Sequence, residues 1–470
     1  MNVYDILGIC AYFAILLYIG YRSAQKVQSS ADFSVAGNKI TWPILFATLS
    51  ASFLGGGASL GRASEAFDHG YAFMFASGAF PIATIIVGLF IAPKLKRYVG
   101  AQTVGDIMEA HYGSKTRFVT GIFSLVFCTG ILGAQALAIG TVFNAVMGID
   151  VSTGIIIGMI VVLIYSTAGG MWAVIQTDVI QFLMLAVFMP LTMIIALNNL
   201  GGAEAFIQQL PDLHFSIMGD YSYAMFASIF VAFLLGETLV PPYTQRALAA
   251  PDARNAKIGY TISGVFGLLF YFVTSTIGLL AFVIYPDINP NMALTTLIST
   301  SLPVGLVGLV LASLLAVVMS TADSYLNSAS VIFVKDIYLP FVEPQASEKK
   351  RLWIERIVNI AIGAGAIVFA LYATSIIDAL LMTYALWAPT VLIPFIAGVM
   401  FDIKNPKAAL SAMFFGALVT IIWKWGPLNL AESTGLSPLI VGVLANITIF
   451  SLTQAITKTP KSPNTIDNSI

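Results

Sequence analysis

Between Leu311 and Ser328, in a long apolar stretch, oxygen-bearing side chains fall on a single helical face. Ser313, Ser320, Thr321, Ser324, Asn327 and Ser328, with Val317 among them, keep i, i+3, i+4 spacing. Such a row of neutral oxygens suits a hard cation. It favours a weakly held monovalent ion over a divalent one. Small-residue packing between helices leaves a similar stripe. Asp323, in the same run, weighs against packing alone, because a carboxylate inside a membrane span costs about 2.5–3.5 kcal/mol on insertion scales. Asp178, in the run Gly169-Gly-Met-Trp-Ala-Val-Ile-Gln-Thr-Asp-Val-Ile-Gln181, has two open readings. It either completes a cation site with those hydroxyls or is an acid near the interface, capped by Thr177 or neighbouring backbone. Glu237, in Gly236-Glu-Thr-Leu-Val-Pro-Pro-Tyr-Thr-Gln-Arg246, points to a cationic or amine-bearing solute. Arg62, just past Gly61, points to an anionic group such as a carboxylate. The two together suit an amino acid or another zwitterion, or else they neutralise one another.

These residues need elements to hold them, and the composition defines the elements. Apolar residues make up 58% of the 470 and charged residues 10%, with a mean hydropathy of +0.89. Soluble domains carry roughly 25% charged residues. A span needs about 20 apolar residues. Thirteen segments qualify, near 4–21, 42–66, 71–93, 117–147, 152–168, 172–198, 221–244, 257–284, 303–334, 354–373, 376–400, 406–425 and 436–456. With the N-terminus outside, 20 of the 22 Lys and Arg residues fall on the inner side, all but Arg62 and Lys424. That obeys the positive-inside rule and leaves the C-terminus in the cytoplasm. The expectation is an all-α multi-pass protein of the plasma membrane, in a bacterium the inner membrane, with the lipid bilayer as its surroundings and no nucleic-acid partner. The first span is not a cleaved signal, since no basic residue precedes it and no small-residue cleavage site follows. Cys10 and Cys128 lie in separate spans and form no disulfide framework. There is no HExxH motif, and the three histidines are scattered, so an enzyme is not expected.

Two spans are interrupted. The second contains Gly55-Gly-Gly57 and the seventh contains Pro241-Pro242. Glycine costs about 1 kcal/mol against alanine in a helix, and proline removes a donor and clashes with the preceding turn. The second span opens a set of five, and so does the seventh, so the two sets have opposite orientation. Matching breaks in inverted halves point to a secondary transporter with its site between them. The expected division is a peripheral helix in 1–30, repeats in 40–200 and 220–402, and two peripheral helices with a short tail in 403–470. The solute pocket is expected between 53–59 and 236–243, with Phe53, Gly56, Ser59, Gln135, Glu237, Thr238, Tyr243, Tyr384 and Trp387 as candidates. Tyr384 and Trp387, near Pro389, are placed to form an outer gate. The rivals are a passive channel, for which no repeated filter motif exists, and a solute-sensing membrane receptor.

The Gly169–Gln181 run, the run Ala316-Val-Val-Met-Ser-Thr-Ala-Asp-Ser324 and Asp336-Ile-Tyr338 together resemble the sodium/solute symporter family. The resemblance covers nearly the whole chain. It implies a five-plus-five inverted-repeat (LeuT-like) core and uptake of a small organic solute coupled to inward sodium movement by alternating access. It also implies a sodium site made from Ala51, Leu54, Val317, Ser320 and Thr321. Some members hold a second ion through an acid at the position of Asp178, here with Ser320, Thr321 and Ser324 in reach. Within the family the nearest look is to the high-affinity choline transporter branch, through Gly55-Gly-Gly57, Gly70-Tyr71 and Tyr243-Thr-Gln-Arg246. Phe53 takes one aromatic position of that branch. Ile131 and Val240 stand where it has tryptophans, although a quaternary ammonium needs an aromatic cage. The candidate solutes are an amino acid or other zwitterion, a choline-like amine, or a carboxylate.

Overall fold

The computed structural model describes residues 2–25, 33, 40–373, 375–427, 430–434 and 436–457, and these form helices with no strand among them. Helix α1 (Val3–Ala24) starts at Asn2, whose side chain caps Tyr4 while Asp5 reaches back to the Asn2 amide. Asp5 Oδ1 also accepts the Gly305 and Gly308 amides at 2.9 Å each. This ties α1 to a later helix across 300 residues of sequence.

The first broken span is α2 (Trp42–Phe53) and α3 (Arg62–His69), joined through irregular residues and a π turn at Gly57–Gly61. The two parts are bent by 64°. There follow α4 (Tyr71–Leu95), the short α5 (Val104–Tyr112), the long α6 (Ser114–Met147) and α7 (Val151–Leu200). Helix α7 is two spans joined at Gly170, where φ is +51°. A Cβ at Gly170 would sit 2.5 Å from the Phe33 ring, so glycine serves both the backbone angle and the close approach. The second broken span is α8 (Tyr223–Leu235) and α9 (Pro241–Ala249). Pro241 occupies the first turn of α9, where its missing N–H costs nothing. Then come α10 (Ala253–Ile284), α11 (Leu306–Phe341), α12 (Glu348–Tyr372) and α13 (Ile376–Phe401). Helices α14 (Pro406–Trp425) and α15 (Pro438–Ile456) pack against each other.

The structure corrects the expected count of thirteen spans. Among the described residues ten helices are long and apolar enough to cross a membrane, or eleven with the bent α2/α3 pair. The other two expected spans are shorter. The Gly170 bend leaves only Val151–Thr167 as an apolar helix, and the second break leaves Tyr223–Leu235. A hydropathy window does not see a bend.

Helix α11 is the hub. It packs against α1, α2, α6, α7 and α12 and is buried over nearly all of Leu306–Ile332. At its far end Asp336 accepts Thr103 Oγ1 at 2.7 Å and Arg117 Nε at 3.0 Å. Arg117 also binds Asp106 and Glu109, both at 2.5 Å. A Cβ on Gly105 would lie 2.4 Å from the Asp336 carboxylate, so a glycine there lets α5 seat on α11. The Asp336-Ile-Tyr338 motif is thus the clamp that joins α5 and the start of α6 to the hub.

Candidate functional site

The oxygen row of α11 faces the end of α2. Helix α2 stops at Phe53, and its last carbonyls lose their helical partners except Ser50, which receives the Leu54 amide at 3.1 Å. Thr321 Oγ1 stands 3.5 Å from Ala51 O and 3.3 Å from Val317 O. Ser320, Thr321 and Ser324 are all buried. Carbonyls freed by a helix break beside hydroxyls are the kind of donor set that suits a monovalent cation. The structure therefore brings together Ala51, Val317 and Thr321 by direct contact, with Ser320 next to Thr321 in the chain and Leu54 just past the end of α2.

Asp178 lies beside this group and has a strong partner of its own. Its Oδ1 accepts the Ser320 hydroxyl at 2.5 Å, and its Oδ2 accepts the Arg246 Nη2 group at 3.1 Å and the Thr48 hydroxyl. Arg246 and Asp178 are both fully buried. Arg246 Nη2 also reaches Ser324 Oγ at 2.6 Å, and Ser52 Oγ meets Ser324 Oγ at 3.0 Å. The Thr177 hydroxyl goes instead to the Ala173 and Val174 carbonyls at 3.0 and 2.9 Å, so it does not cap Asp178. The sequence reading had counted Arg246 with the inner-side positive charges. Its burial beside Asp178 was missed, and no local signal marks it. Asp323 is held by Tyr165, which donates to its Oδ2 at 2.8 Å, while the Ser324 hydroxyl lies 3.4 Å from its Oδ1.

The solute candidates converge around Glu237. Tyr243 and Tyr325 donate to its Oε1 at 2.5 and 3.0 Å, and Tyr384 donates to its Oε2 at 2.6 Å. Gln135 Oε1 accepts the Gly56 amide at 2.7 Å. Trp387 Nε1 donates to Thr238 O at 2.9 Å, which closes α13 over the second break. The Phe53 ring meets Phe80 and Tyr243 edge-on, with centroids 5.5 and 6.2 Å away. The Ser59 and Thr238 hydroxyls are turned to their own helices, bonding Gly55 O at 2.8 Å and Leu234 O at 2.6 Å. Tyr325 was not among the expected pocket residues, although it follows Thr321 by one helical turn.

Arg62 is buried and donates to Ser77 Oγ. Its guanidinium carbon lies 3.2 Å from the Tyr271 ring centroid and 5.3 Å from that of Phe73. Its Nε has no hydrogen-bond partner. Among the described residues Arg62 and Glu237 form no ion pair with each other, so they do not neutralise one another by contact. Both line one cavity of about 20 Å³, with Phe53, Gln135, Leu380 and Tyr384. That volume holds about one water. A solute enters only if these walls separate.

A helical membrane bundle with two opposed helix breaks, freed carbonyls facing hydroxyls and charged groups buried in a central cavity defines a secondary transporter. The comparisons make this specific: residues 33–416 match the sodium:solute symporter family, and the chain belongs to that family of membrane transporters, which are not enzymes. It is 24% identical to the osmoregulated proline transporter OpuE of Bacillus subtilis (strain 168), over 98% of this chain and 96% of that protein. It is 26% identical to the sodium/glucose cotransporter of Vibrio parahaemolyticus, over 92% of this chain and 87% of that one. Two relatives named for different cargoes thus stand equally near, and identity does not select the solute. A solved structure of a substrate-bound, outward-open, sodium-coupled sialic acid symporter superposes with a TM-score of 0.84. It is 19% identical and covers 97% of this chain and 98% of that one. At that identity the likeness is one of fold, the LeuT-like bundle.

Proposed function

We propose that this protein carries a small zwitterionic solute of the amino-acid class into the cell together with sodium, by alternating access. The observation that carries the reading is the cavity shared by Glu237 and Arg62. A buried carboxylate and a buried guanidinium are costly unless matched. Here the carboxylate is met by three phenols and the guanidinium by a hydroxyl and two aromatic faces. A solute bearing an ammonium and a carboxylate would supply each with an opposite charge.

Sodium is the coupling ion in this reading, and Ala51, Leu54, Val317, Ser320 and Thr321 are its ligands. Thr321 joins both sides: it reaches the Ala51 carbonyl across the helix break, and its neighbours Val317 and Ser320 belong to the same row. The ion enters from outside, bridges α2 and α11 and holds the outward-facing form. The solute then draws Glu237 and Arg62 together, and the two five-helix halves rock. Moving one charge through 100 mV yields about 2.3 kcal/mol, and a tenfold sodium gradient about 1.4 kcal/mol. One ion therefore sustains several-hundred-fold accumulation of a solute without net charge. In this reading the N-terminus lies outside and the C-terminus in the cytoplasm, in the plasma membrane of a bacterium, and the distribution of Lys and Arg supports that orientation.

The test is uptake of radiolabelled amino acids, betaine-type amines, sugars and carboxylates into proteoliposomes, with an inward sodium or potassium gradient. Sodium-dependent accumulation of a zwitterion, against no accumulation of the sugars, is the expected result. Accumulation that is equal in potassium removes the coupling. Accumulation of a sugar alone removes the assignment of Glu237 and Arg62.

A further inference from the structure

The Asp178 carboxylate, with Ser320 and Ser324, offers the oxygens that a second sodium would need. In this structure they hold a cation that belongs to the protein. Arg246 places Nη2 between Asp178 Oδ2 (3.1 Å) and Ser324 Oγ (2.6 Å). Its Nε donates to Thr48 Oγ1 at 2.9 Å and its Nη1 to Pro242 O at 3.2 Å. Every nitrogen of the guanidinium has an acceptor, and the pair is fully buried. Guanidinium suits this role because it is always charged and forks to several oxygens. The arginine is carried by α9, the second half of a broken helix. Asp178 is on α7 and Ser324 on α11.

We infer that Arg246 is a tethered cation filling the second-ion position, so that the protein binds and couples one sodium rather than two. The inference rests on the sodium reading given above. Arg246 also positions the first ion. It pairs with the Asp178 carboxylate, which accepts the Ser320 hydroxyl at 2.5 Å and so fixes where the Ser320 proton points. The chain Arg246–Asp178–Ser320 thus runs from the second half of the broken span to the proposed sodium ligands. When α9 moves, it takes its guanidinium from Asp178, and Ser320 loses the acceptor that orients it.

The decisive measurement is equilibrium binding of ²²Na⁺ to the purified full chain, with potassium as the competitor control. The expected count is one sodium per chain. The Arg246→Gln protein, with Asp178 retained, should bind two. The Ser320→Ala, Thr321→Ala protein should bind sodium about a hundredfold more weakly and so show none at concentrations that just saturate the wild type. Two sodium ions on the wild-type chain, or one on a folded Arg246→Gln chain, overturns the inference. No sodium on the wild type instead overturns the sodium reading beneath it, so the two failures are distinguishable. If Arg246→Gln does not fold, the wild-type count still decides. In proteoliposomes held at zero membrane potential with a tenfold sodium gradient, net flux should vanish at an opposing solute gradient of about tenfold for one ion. A null near a hundredfold belongs to two ions and overturns the inference.

Discussion

Replacing Glu237 by Gln keeps the shape of the side chain and removes the negative charge from the cavity. In the wild type Oε1 takes two phenol donors, Tyr243 at 2.5 Å and Tyr325 at 3.0 Å, and Oε2 takes Tyr384 at 2.6 Å. The amide keeps one oxygen as acceptor. Its nitrogen meets a phenol oxygen that can accept instead, so the three charge-assisted bonds become neutral ones, at about 0.5–1.5 kcal/mol each in place of about 1.5–3. The solute loses its countercharge, because its ammonium then faces no carboxylate. A hydrogen bond to a charged group, about 1.5–3 kcal/mol, becomes a rise of about 10- to 150-fold in KM at tenfold per 1.4 kcal/mol. Thr321 lines the same small cavity as Glu237, so the two sites are close enough to couple, and half-saturation by sodium is expected to move less than KM does. The assay is initial uptake of a labelled amino acid by proteoliposomes at saturating sodium. Sodium activation and the unfolding midpoint are measured on the same protein. Tyr384→Phe serves as the graded control, since losing a single neutral donor costs about 0.5–1.5 kcal/mol. A folded Glu237→Gln protein with an unchanged KM would refute the zwitterion reading, and Glu237 would then be a packing element satisfied by tyrosines.

Other consequences follow from the same geometry. Ser320→Ala with Thr321→Ala removes two oxygens from the ion, at about 1.5 kcal/mol each, and should raise sodium half-saturation about a hundredfold; sodium-activation curves give the answer. Gly55→Ala would place a Cβ 2.3 Å from Thr321 Oγ1 and 2.7 Å from Gln135 Oε1. Overpacking of this kind costs about 1–3 kcal/mol, and loss of sodium-dependent uptake should exceed any fall in the unfolding midpoint. His111, on α5, is held below the ordinary imidazole value chiefly by burial, against the nearby Asp402 carboxylate, with Lys404 and Arg97 also lowering it; its Nε2 meets Tyr98 OH at 2.7 Å. A depressed histidine is neutral in the fold and takes its proton more readily when unfolded. Stability is therefore full above the unfolded value near 6.5 and declines as pH falls through it. The midpoint in detergent should drop between pH 7.5 and pH 5, and less so in His111→Gln.

What the sequence made legible was whatever repeats along a single helix. The hydroxyl row of α11 has the helical period, so its common face could be read without a partner in view. Both breaks announced themselves through Gly55-Gly-Gly57 and Pro241-Pro242, residues whose backbone behaviour is intrinsic. Contacts between distant helices were not legible. The three phenols on Glu237 come from α9, α11 and α13; Tyr243 and Tyr384 are expected near Glu237, but nothing local to Tyr325 says that it joins them. Arg246 reads as an inner-side positive charge because it lies just past the seventh expected span, 221–244. The proline break turns α9 inward and buries it against Asp178. The span count erred at Gly170 and at the second break, where direction changes while hydropathy does not.

The glycine triplet shows why the structural and functional readings of such a motif need not compete. Close packing alone would explain it, since a Cβ on Gly56 would lie 2.4 Å from Ala138 and one on Gly57 2.3 Å from Leu380. Yet this close approach is what sets the end of α2 against α6 and α11, with the Gly56 amide on Gln135 and the Ala51 carbonyl beside Thr321. An unwound segment held away from its neighbours would leave its carbonyls facing lipid or void, at several kcal/mol for each unsatisfied group. Held close, those carbonyls face the hydroxyls of α11. Under the proposed sodium reading, the small residues that let the helices touch are therefore the condition for the break to bind a cation, and the charge on Arg246 limits the proposed count to one.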